Sequence, residues 1–172
     1  MSIKNTEVDQ QKLICDLFGE PVEKKGLFID EKLNTTLREL GVVKIPFLNK
    51  KEVDDLVDFE KKTHLDIGLE PTYDDVHMTS WCADFDYKIK VKNKINSIFE
   101  NGISNNFKNV KTVNEVFVIK LPSEKAVFKL HKDWSIVDEE KHESVNIWVA
   151  LEDVDEQNGG IFFIHKSHLA QD

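Results

Sequence analysis

The sequence predicts an α+β fold in which N-terminal helices support one sheet of a sandwich or jelly roll. Three observations carry this. Apolar residues recur with a helical period up to about residue 105, the period switches to two from about residue 112, and the chain has no Gly-x-Gly-x-x-Gly or Walker loop of the kind that marks a nucleotide-binding βαβ unit. Helices first and strands afterwards is the order of a segregated α+β domain. A chain of 172 residues fits one domain, 1–172, with a single core.

The elements follow in order. The run "DEKLNTTLREL" reads as a helix closed by Gly41, a residue suited to the left-handed position after a last turn. "VVKIPFL" reads as a short strand. Asn49 with Glu52 three residues on makes an Asn version of the capping box, opening a helix over "KKEVDDLVDFEKK" with Val53, Leu56 and Val57 on one face. A third helix is predicted in "YKIKVKNKINSIFENG", where Val91, Ile95, Ile98 and Phe99 share a face and Gly102 ends it. Helical support thus covers about 1–110. Strands are predicted over about 111–172, in "TVNEVFVIKL", "AVFKLHKDW", "SVNIWVAL" and "GGIFFIHKSH", separated by turn-forming "PSEK", "DEEKHE" and "DEQNGG".

Composition narrows the partners. Lys and Arg number 23 against 32 Asp and Glu, a net charge of −9 that repels phosphate backbones and anionic lipid, so nucleic acid and membrane are not expected partners. The lysines of "KIKVKNK" alternate with other residues and read as a solvated face. Cys15 and Cys82 fit no disulfide framework, the N-terminus lacks an apolar signal core, and no apolar run reaches the length of a membrane span. A reduced, cytoplasmic protein is expected.

The chemistry-bearing candidate is His131-Lys132-Asp133. On a strand, residues i and i+2 share a face about 7 Å apart, so both side chains can reach one small cation. Two imidazoles and a carboxylate form the facial ligand set of non-haem Fe(II) oxygenases. A strand histidine bonded to a neighbouring carboxylate without metal is the competing reading, and the residues alone leave both open. The same spacing recurs at His64 and Asp66, which read as a solvated pair in a loop after a helix end. In "SVNIWVAL", Asn146 and Trp148 lie opposite the Val145, Ile147, Val149 face and could line a cleft or cover the end of a sheet. Lys120, on the face of Val116 and Val118, could meet a carboxylate or snorkel to solvent.

The ordered pieces His131 with Asp133, Trp148 with Leu151, Asp153, Asn158 with Gly159, and Ser167 with His168 resemble the phytanoyl-CoA dioxygenase family. The stretch "LRELGVVKIPFLNKKEVDDLVDFEK" is similar to that family's N-terminal strand and helix, so the likeness spans roughly residues 35 to 170. The resemblance implies a double-stranded β-helix, Fe(II) as metal, 2-oxoglutarate as co-substrate and hydroxylation of a small organic molecule. By position it implies His131 and Asp133 as iron ligands and places Trp148, Asn146, Lys120 and Val116 around 2-oxoglutarate. His168 then belongs to a structural turn, in which His165 and Lys166 replace the family's proline and glycine. The family's distal histidine and its arginine come well after that turn, so the expectation is a C-terminally incomplete domain lacking the third ligand. That leaves an oxygenase carried by part of its sequence, or a non-catalytic β-sandwich remnant that binds a ligand or partner.

Overall fold

The computed structural model describes residues 26–67, 71, 74–133, 137 and 142–169. Among these lie helices α1 (Glu31–Leu40), α2 (Lys50–Ile67) and α3 (Phe85–Asn106), and strands β1 (Val76–Met78) and β2 (Val118–Lys120). Short 3-10 turns cover Thr79–Trp81 and Ser167–Leu169. The chain groups into two compact units, one of Met1–Val43, Lys132–Val145 and Phe163–Asp172, the other of Lys44–His131 and Asn146–Phe162.

In the first unit, Asp30 caps α1 by accepting from the Lys32 amide at 2.9 Å. Asn34 is buried and clamps the preceding loop: its Oδ1 accepts from the Phe28 amide at 2.8 Å and its Nδ2 donates to the Phe28 carbonyl at 2.9 Å. The helix ends at Gly41, in the left-handed region at φ 78°, as predicted. The turn around His168 then closes on the helix end. The Lys166 amide donates to the Leu40 carbonyl at 2.9 Å and His168 Nε2 donates to the Arg38 carbonyl at 3.0 Å, satisfying two orphan acceptors.

In the second unit the capping box forms as predicted, with the Glu52 amide donating to Asn49 Oδ1 at 3.1 Å and the Asn49 amide to Glu52 Oε2 at 2.8 Å. Leu56 of α2 meets Tyr87, Val91 and Ile95 of α3 and Phe117 ahead of β2 in the core. Strands β1 and β2 pair antiparallel, Val76 opposite Lys120 and Met78 opposite Val118. Beyond the ladder, Thr79 clasps Phe117, whose carbonyl accepts the Thr79 amide at 3.1 Å while its own amide donates to the Thr79 hydroxyl at 3.1 Å. Phe117 and Ile119 therefore face the helices, and Val118 points outward at 44 % exposure.

Several expectations are corrected. "VVKIPFL" forms no strand. Helix α3 runs four residues past Gly102, because that glycine is buried under the Phe47 ring, where a Cβ would lie 2.7 Å from Cε2. Among the described residues, the sheet has two strands, and those predicted over 126–134, 144–151 and 159–168 do not form. Period-two patterning specifies alternating faces, but a strand exists only where a neighbouring backbone supplies the ladder, and the described parts of these runs have none. The two-stranded sheet beside helices is compatible with a partial α+β domain and does not build a jelly roll.

Candidate functional site

Lys120 ends β2, on the face turned away from the helices, and its carbon shaft lies across Gly159. Gly159 has φ 103°, a conformation that side chains disfavour, and a Cβ there would sit 3.1 Å from Lys120 Cδ. The ammonium is 5.5 Å from the centre of the Phe128 ring, within cation–π range. The His131 imidazole is 6.0 Å from the same ring, centre to centre, tilted by 52°. Nδ1 of His131 lies 2.6 Å from the Lys129 carbonyl, which can only accept, so Nδ1 carries a hydrogen and donates it.

The structure thus gathers Lys120 and His131 around Phe128. The division between the units falls between His131 and Lys132, leaving Asp133 in the other unit. Both His131 and Asp133 are exposed and neither belongs to a strand, so the strand geometry expected for the pair is not formed. Val116 is half-buried just ahead of β2. Asn146 is exposed, as is Trp148 at 48 %, and the structure shows no ring contact from Trp148 to Phe128 or His131. A groove of about 570 Å³ lined by Asn96, Phe99, Ile103, Lys111 and Thr112 contains none of these candidates.

Imidazole nitrogen and carboxylate are suitable donors for Fe(II). Among the described residues, however, no three His, Cys, Asp or Glu side chains converge as a metal group. A complete ligand set is therefore not assembled there, and no chemical step is derived through iron.

A second polar cluster went unread in the sequence. His64 lies within α2, which continues to Ile67, and it is buried at 7 % exposure, so its reading as a solvated loop residue is corrected. The side chain of Asp66 lies outside the described residues. Glu60, one turn earlier on the same face, bonds His64 Nδ1. With that nitrogen protonated, Nε2 accepts the Tyr87 hydroxyl at 2.6 Å. The His77 ring stands edge-on to His64 at 4.8 Å. Burial raises the Tyr87 pKa, with smaller upward contributions from Cys82 and Glu60 against a lowering bond from Thr79. The spacing Glu60-x-x-x-His64 on a helix was the available signal. With His64, His77 and Tyr87 buried and Glu60 partly exposed, the cluster ties α2 to α3.

The family model described as phytanoyl-CoA dioxygenase matches residues 24–172. The chain belongs to that family, whose membership implies a cupin-like fold and oxygenase-like chemistry on a small molecule. No curated protein and no solved structure gives a match. No helix among the described residues is long and apolar enough to cross a membrane.

Proposed function

We propose that this chain is an Fe(II)- and 2-oxoglutarate-dependent dioxygenase-like domain that hydroxylates a small organic substrate. His131 and Asp133 provide two of the iron ligands, and Lys120, Val116, Asn146 and Trp148 border the co-substrate. The observation that carries the reading is the His-x-Asp pair standing inside the stretch matched by the family model. The hydrogen bond from His131 Nδ1 to the Lys129 carbonyl supports it, because a metal-binding histidine commonly donates its other ring N–H to a backbone carbonyl. The half-buried Lys120 ammonium supplies positive charge for a carboxylate.

The test is anaerobic Fe(II) titration of the full chain with 2-oxoglutarate, following the visible charge-transfer absorption of the chelate, with His131→Ala as control. A band present in the wild type and lost in the variant is expected. No band from a demonstrably folded chain would overturn the reading.

A further inference from the structure

We infer that Tyr87 is a redox-active tyrosine, a side chain that gives one electron to a high-potential outer-sphere oxidant while its phenolic proton passes to Nε2 of His64. The inference is independent of the oxygenase reading and uses none of the residues assigned to it.

Loss of an electron turns a phenol from a weak acid into a strong one, so oxidation of a tyrosine goes together with loss of its O–H proton. In water the solvent takes that proton. Tyr87 is 2 % exposed, so its proton needs an acceptor within the fold, and a charge left on the ring would be a buried cation without a counter-ion. His64 Nε2 stands 2.6 Å from the hydroxyl oxygen, close enough for a positioned base to take the proton directly. Burial raises the Tyr87 pKa, so the phenol and not the phenolate is the form that meets the oxidant.

The proton's destination is prepared as well. Nδ1 of His64 is bonded to Glu60, one turn back on α2. When the proton reaches Nε2 the ring becomes an imidazolium, and its charge lies beside the Glu60 carboxylate instead of alone in the core. The His77 ring, edge-on to His64 at 4.8 Å, limits rotation of the imidazole away from the hydroxyl. The step balances: the Tyr87 O–H bond breaks, an N–H bond forms at His64, one electron reduces the oxidant, and a neutral phenoxyl radical remains. A one-electron reductant of the ascorbate class reverses it, the proton returning from Nε2 to oxygen. Packed among Leu56, Val91, Ile95 and Phe117, the radical is screened from coupling with a second phenoxyl, the usual fate of an exposed one.

The test is flash photolysis of the full chain carrying Tyr73→Phe, which removes its other tyrosine, with photogenerated tris(bipyridyl)ruthenium(III) as the oxidant. The sharp near-ultraviolet band of a neutral tyrosyl radical should appear, and should be absent once Tyr87→Phe is added. With His64 as the proton acceptor, the rate of formation should not change as phosphate concentration rises and should fall in deuterated water. His64→Gln, shown to be folded by circular dichroism, should slow formation about tenfold or more, because the positioned base is lost. Three results would each overturn the inference: no tyrosyl band assigned to Tyr87, a rate in the parent chain that climbs with phosphate, or an unchanged rate in folded His64→Gln. Should His64→Gln fail to fold, the phosphate dependence of the parent chain decides alone.

Discussion

The Tyr87 hydroxyl donates to Nε2 of His64 across 2.6 Å, a buried bond that links the helix over Phe85–Asn106 to the helix over Lys50–Ile67. The bond uses the only acceptor left on the imidazole once Glu60 has taken Nδ1. Tyr87→Phe strands that acceptor in a site too enclosed for water to replace the hydroxyl. We expect a loss of about 1–3 kcal/mol in denaturant unfolding with an unchanged m-value. His64→Ala should cost more, about 2–4 kcal/mol, because it opens a cavity as well as stranding the Tyr87 hydroxyl and the Glu60 carboxylate.

The same tyrosine sets an alkaline limit. Burial raises its pKa above the ordinary 10.0, so the folded state holds the phenolic proton more tightly than the unfolded state does. The associated stability is fully present below about pH 10 and is lost as pH rises through the folded value. Phenolate absorbance, measured as a difference against Tyr87→Phe, should show a tyrosine titrating later than a free one. Wild-type stability should also fall more steeply than the variant's above pH 10.

Asn34 supports a loop rather than a helix face. Its amide satisfies both the N–H and the C=O of Phe28, and only 1 % of the residue is exposed. Asn34→Ala leaves two buried backbone groups without those partners, and a loss of about 2–4 kcal/mol is expected in thermal or denaturant unfolding. Asn34→Asp, neutral at acidic pH, keeps the acceptor and offers one O–H in place of the amide's two N–H donors, so it should fall between wild type and Asn34→Ala there, and lose further stability as the carboxyl ionises.

Gly102→Ala sets two effects against each other. In a helix interior alanine gains about 1 kcal/mol over glycine. Here the new Cβ would stand 2.7 Å from the Phe47 ring, which itself packs edge-on to Phe99 at 4.9 Å, so the ring cannot withdraw without breaking that contact. Overpacking costs of about 1–3 kcal/mol should win, giving a net destabilisation. Combining it with Phe47→Leu should make Gly102→Ala neutral or favourable, a sign change that a stability measurement on the four proteins would read directly.

The parts of the fold legible in the sequence are those settled by neighbours in the chain. Gly41 as a helix stop and the Asn49–Glu52 box depend on residues within a few positions, and both form as expected. Gly102 shows the limit. A glycine past an apolar run can close a helix or admit a ring against its backbone, and the letter is the same for both. The strands predicted over 126–134, 144–151 and 159–168 do not form among the described residues for a related reason, since alternation says which way side chains point and nothing about which backbone answers. Within the site, the family motifs singled out His131 and Asp133 by their order in the chain. Phe128, whose ring lies 5.5 Å from the Lys120 ammonium and 6.0 Å from the His131 imidazole, carries no motif, because the contact with Lys120 is set by the fold and not by spacing in the chain. The partner of His64 is Glu60, one helical turn back, and not Asp66 two residues on, because the helix continues to Ile67.

The pairing of Val76 with Lys120 has a kinetic side. The strands enclose a stretch of chain that contains the whole 22-residue helix Phe85–Asn106. Closing a loop of that length costs entropy before the first ladder bond forms, whereas helix formation proceeds in about a microsecond from local contacts. The helix therefore forms first and acts as a spacer of about 1.5 Å per residue, fixing how far apart the two strand segments begin their search. The ladder closes after that helix, and a helix-breaking change on the exposed face of the spacer is expected to slow its closure without touching either strand, which stopped-flow refolding would read.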